Sequence, residues 1–76
     1  MKTIKSLDVV ALTSDLPVHG LKKGDLGTVV HVYPDKAGYE IEFVTLGGET
    51  IAIVSLPHDA VRKTHAREIA HVRDVA

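Results

Sequence analysis

Along most of this chain apolar residues recur at every second position or gather in short β-branched runs, the spacing of extended strands and not of helices. The cleanest stretch is Tyr39-Glu40-Ile41-Glu42-Phe43. Its alternation turns Tyr39, Ile41 and Phe43 inward and leaves Glu40 and Glu42 in solvent. Just upstream, Lys23-Gly24-Asp25-Leu26-Gly27 feeds into Thr28-Val29-Val30-His31-Val32-Tyr33. A glycine-set bend followed by a β-branched run predicts a strand over Thr28 to Tyr33 that is buried on at least one side. Strict alternation there would place His31 beside buried valines, an unfavourable burial of a polar group. A β-bulge near Val30 or His31 removes the conflict by letting Val29 and Val32 both face the core.

The remaining elements follow from the same reasoning. Leu7 to Leu12 reads as a first strand, ended by Thr13-Ser14-Asp15. Pro17 and Gly20 mark an irregular loop whose Leu16 and Leu21 tuck beneath the sheet, with Lys22 and Lys23 left in water. Pro34 to Gly38 forms a turn, and Leu46-Gly47-Gly48-Glu49 a hairpin. Thr50-Ile51-Ala52-Ile53-Val54-Ser55-Leu56 is apolar almost throughout, which predicts a central strand covered on both faces. Pro57 to Ala60 fits a 3₁₀ turn, and Val61-Arg62-Lys63 a short fifth strand whose Val61 plugs the end. The expectation is all-β: a small five-stranded SH3-like barrel over residues 1–64. Residues 65–76 form a docking or interface tail. Ile69, Val72 and Ala76 lie at helical spacing, while Ile69 to Arg73 equally fits an added strand, so the tail is read as a short C-terminal helix or an added strand.

Seventy-six residues make one domain, and a chain of that length buries only about 60 to 65% of its unfolded surface. Nine Lys and Arg against ten Asp and Glu leave a net charge of −1, which exerts no long-range pull on nucleic acid or an anionic membrane. No cysteine is available for a disulfide or a thiolate site. The first residues lack the apolar core of a secretion signal, and no apolar run approaches a membrane span, so a soluble cytoplasmic protein is expected.

The order Gly24-Asp25-Leu26-Gly27-Thr28-Val29-Val30, a turn, Tyr39 to Phe43, Gly47-Gly48 and a closing Val61 resembles the KOW motif of ribosomal and transcription-elongation proteins. Leu7 to Lys63 is more closely similar to a family of small bacterial proteins catalogued only as a domain of unknown function. The segments that carry this second likeness are Leu-Asp-Val-Val-Ala-Leu, Leu-Lys-Lys-Gly-Asp-Leu-Gly-Thr-Val-Val, Tyr-Glu-Ile-Glu-Phe and Thr-Ile-Ala-Ile-Val-Ser-Leu. Both resemblances imply an SH3-like barrel and leave activity open, since such folds host unrelated functions. KOW-type RNA binders carry basic and aromatic loops around the motif, whereas Asp35, Glu40 and Glu42 occupy those surroundings here.

Candidate chemistry is sparse. His19, His31, His58, His65 and His71 show no metal-ligand spacing, so no metal or cofactor is expected. His58-Asp59 and Ser55 lack a nucleophile turn, so no catalytic residue is assigned and the chain is read as a non-enzyme. Gly24 and Gly27 precede a strand and not a helix, which makes them bend residues and not a phosphate cradle. Apolar surplus is the stronger signal. A barrel this small cannot enclose both Val9 to Leu12 and Ile51 to Leu56, and contiguous exposed apolar surface marks an interface. The expected interface residues are Val10, Leu12, Ala52, Val54, Ile69 and Val72. The expected function is a binding module for a protein partner, as an antitoxin-like or inhibitory subunit, or for itself. The alternative is a nucleic-acid or ribosome-binding module using Lys22, Lys23, Arg62, Lys63 and Arg67, with nucleic acid the less favoured partner on charge.

Overall fold

The computed structural model describes residues 3–75. Among these residues five strands form: β1 (Val9–Leu12), β2 (Leu26–Val32), β3 (Tyr39–Val44), β4 (Thr50–Leu56) and β5 (Val61–Lys63). All pair antiparallel in one sheet of order β4-β3-β2-β1-β5, an arrangement that fits a small SH3-like barrel. Three 3₁₀ turns, Pro17–His19, Pro34–Lys36 and His58–Ala60, sit in the connections. Two begin at a proline, whose fixed φ suits a first helical turn.

Period-two packing builds the core. Val10 faces Gly27 across β1 and β2, Val29 faces Ile41 across β2 and β3, and Ile41 faces Val54 across β3 and β4. Val10, Leu12, Leu21, Val29, Tyr39, Ile41, Phe43, Leu56 and Val61 make one buried cluster. Leu16 bridges to Leu21 and packs against that cluster, which tucks the long first loop beneath the sheet. A side chain at Gly27 would meet Ile41 Cγ2 at 2.5 Å and Phe43 Cε1 at 2.8 Å. Glycine is therefore required where β2 runs over the Ile41 and Phe43 side chains of β3. Gly24, at φ +91°, supplies the bend that starts β2.

The expected bulge is present. Pairing between β2 and β3 shifts between Val29 and His31, so Val29 is fully buried and Val32 packs on the core. His31 remains in solvent.

Three expectations are corrected. β4 is not a central strand but an edge, with Ile53 57% exposed. Its apolar run reflects one face packed on the core and a second face left open. Residues 65–75 contain neither a helix nor an added strand: after a turn at His65 to Glu68 the tail runs on irregularly. Ala76, one position of the helical spacing, lies outside the described residues. Leu7 precedes β1, at φ +74° and 76% exposed, because the ladder begins only at Val9.

Candidate interaction surface

The outward residues of the sheet are unusually apolar. Val9, Leu26 and Val44 project from β1, β2 and β3 and line one shallow depression with Thr28 and Glu42. Period two dictates this, because each is one position away from a core residue. Thr50 Oγ1 donates to Glu42 Oε2 at 2.9 Å, which ties down the one acid inside the patch. The other half of the outer face is polar. His31 packs edge-on to Tyr33 with ring centroids 5.0 Å apart, and the Tyr33 hydroxyl lies 2.8 Å from Ser55 Oγ.

Leu26 and Val44 also line a second, larger hollow of about 590 Å³ at one end of the barrel. Its floor is Leu21, Phe43 and Ile51. The tip of the β3–β4 hairpin forms one wall and tail residues 70–75 the other. The hollow exists because the tail crosses the barrel end without filling it. Arg73 supplies the hold: its Nε donates to Asp25 Oδ1 at 2.8 Å and its Nη2 to the Gly20 carbonyl at 3.1 Å. Arg73 beside Asp25 holds that carboxyl below its ordinary range, and a bond from the Lys22 N–H reinforces the effect.

A second ion pair pins the turn where the tail begins. Arg62 donates to both oxygens of Glu68, with Nη1 to Oε1 at 2.9 Å. The same Oε1 accepts the His65 N–H at 3.0 Å. The Arg62 guanidinium, followed by that N–H, brings the Glu68 carboxyl down to about 2. Thr64 anchors the start of the segment by donating its N–H and hydroxyl to the Val9 carbonyl.

The expected interface residues separate into three groups. Val10 and Leu12 are buried in the core and cannot meet a partner. The surplus apolar surface of β1 lies instead on their neighbour Val9, 44% exposed, because alternation turns Val10 and Leu12 inward. Ala52 and Val54 are half-buried against the core from the edge strand. Ile69 is 94% exposed and Val72 70%, so the tail adds apolar surface to the outside of the molecule. Val9 and Ile53 lie within the two apolar runs expected to exceed the core, whereas Leu26 and Val44 do not; counting out from Phe43 by one position finds Val44 and, across the ladder, Leu26.

The basic set does not act as five free cations. Arg62 is engaged by Glu68, and Lys63 Nζ lies 3.5 Å from Asp8 Oδ2. The Lys5 backbone N–H, then Lys63, holds the Asp8 carboxyl below its ordinary range. Lys22 and Lys23 are exposed in the loop before β2, and Arg67 is exposed on the pinned turn. No local signal marks Arg73 or its partner in the sequence. Among the described residues, no three or more His, Asp or Glu side chains are grouped to hold a metal ion, and no helix is long and apolar enough to cross a membrane.

Fold and surface together define a small all-β domain with a hydrophobic outer face and an open hollow at one end. The chain belongs to the family described as Domain of unknown function (DUF4926), whose model matches residues 6–63. Neither the curated proteins nor the solved structures contain a significant match.

Proposed function

We propose that this chain is a non-enzymatic binding module that associates with a protein partner in the cytoplasm, as an inhibitory, antitoxin-like subunit. One observation carries the reading: exposed apolar side chains run from Val9 through Leu26 and Val44 to the tail's Val72 and Val75 across two adjoining depressions. Soluble domains rarely leave such a stretch contiguous unless something covers it. The polar set of His31, Tyr33 and Ser55 beside it supports the same reading, since interfaces pair an apolar centre with a polar rim. The nucleic-acid alternative has weaker support, because Arg62 and Lys63 already pair with acids.

The test is affinity capture from the native cell with the intact chain and a Leu26→Lys/Val44→Lys variant. Both side chains are on the exposed face, at 42% and 44% exposure and outside the buried core cluster, so the variant should fold. Capture of one protein by the native chain and its loss in the variant supports the proposal. Equal capture by both, or none by either, overturns it.

A further inference from the structure

The turn at the start of the tail is hydrogen-bonded on itself and leaves an isoleucine in water. Glu68 is fixed by Arg62 and by the His65 N–H, and its own N–H donates to the His65 carbonyl. With Glu68 drawn back, Arg67 and Ile69 stand outward, Ile69 at 94% exposure. Among the described residues nothing packs on that isoleucine, which stays 94% exposed. An isoleucine fixed in solvent by several hydrogen bonds is a pre-organised contact, because the ordering entropy of the turn is met before binding.

The same chain displays a matching cavity. The hollow between tail and hairpin has Leu21, Phe43 and Ile51 as its floor, and Glu49 and Asp74 among its lining residues. Its cation, Arg73, is already taken by Asp25. Among the described residues neither Glu49 nor Asp74 has a cationic partner. The hollow therefore asks for an apolar group with a positive charge close by, and Arg67 with Ile69 offers that pair two residues apart.

We propose that a second copy of this chain occupies the hollow, seating Ile69 over Leu21, Phe43 and Ile51 and directing Arg67 to Glu49 and Asp74. The proposal rests on the reading of this surface as protein-binding and names one occupant of it. Projecting turn and tail wall adjoin in sequence, so both contacts lie side by side on one chain. A two-fold axis between the copies satisfies them twice, giving a closed dimer and not an open chain.

Sedimentation velocity of the intact protein over a concentration series tests this. A monomer–dimer equilibrium is expected, with Ile69→Asp moving its midpoint to at least about tenfold higher concentration. Glu49→Lys and Arg67→Glu should each weaken it, and the double variant Glu49→Lys/Arg67→Glu should recover most of the loss. All these positions are exposed or lie on loops, and circular dichroism confirms that each variant is folded. A monomer at every concentration overturns the proposal, as does a dimer insensitive to Ile69→Asp or a double variant without recovery. A dimer abolished by Ile53→Lys and untouched by Ile69→Asp assigns the contact to the β4 edge and overturns it too. A monomer that still captures a partner removes this inference and leaves the protein-binding reading standing.

Discussion

Arg73 holds Asp25 across 48 residues of chain, and that ion pair fixes the far half of the tail, residues 70–75, against the barrel end. Tail residues Ile69 and Val72 are mostly in water, so apolar burial contributes little to its position. Replacing Arg73 by Ala, or Asp25 by Asn, should free residues 70–75 while the five strands persist. Amide hydrogen exchange is expected to quicken in the tail alone, with the urea midpoint barely moved, as partly exposed ion pairs contribute little to global stability. Quickened exchange in β1 to β3 would show that the tail supports the barrel itself.

Acid should act on the tail before the core. The Glu68 carboxyl lies at about 2, against an ordinary value of 4.5. A depressed carboxyl adds stability that is complete above its unfolded value and is lost as pH falls through its folded value. The His65 to Glu68 turn should therefore open between about pH 4.5 and 2. Asp25 and Asp8 are shifted the same way and will add to the loss. A carboxyl carbon NMR titration should find Glu68 the most acid-shifted glutamate; an unshifted midpoint would mean that the pair with Arg62 does not persist in solution.

Strands with two unlike faces are legible in the sequence, whereas two-faced apolar runs and long-range anchors are not. Tyr39 to Phe43 declared its strand because both faces differ sharply, and the β2 bulge was forced by a histidine between valines. The strand Thr50 to Leu56 misled because an apolar run looks the same whether two faces are covered or one is covered and one exposed. Ile53 shows which holds here. The tail was illegible for a different reason. Its anchor joins Arg73 to a loop far back in the chain, and residue spacing carries no trace of a contact between distant segments.

Gly27 should tolerate no side chain. Alanine there collides with Ile41 and Phe43, both buried and unable to withdraw. A loss of about 1 to 3 kcal/mol is expected, the usual range for overpacking a tight core. Phe43→Ala should cost about 3 to 5 kcal/mol, against a total of roughly 4 to 11 kcal/mol for a chain this size. Urea unfolding followed by circular dichroism orders the two. A neutral Gly27→Ala would mean that β2 and β3 stand farther apart than described.

Ile53→Lys should leave stability within about 0.5 kcal/mol, since the side chain faces water. It places a charge on the long uncharged edge of β4, a common natural device against unwanted strand pairing. Light scattering during heating should show less aggregation than the native chain. Unchanged scattering would locate the aggregating surface elsewhere.

The two borders of the sheet are unequal. β5 spans three residues and carries Arg62 and Lys63, whereas β4 spans seven without a charge. If two molecules ever zip together along β4, only the short β5 borders, occupied by charged side chains paired to acids, remain at either end. Growth into ribbons or fibrils then has no place to continue, and the asymmetry acts as a built-in chain terminator.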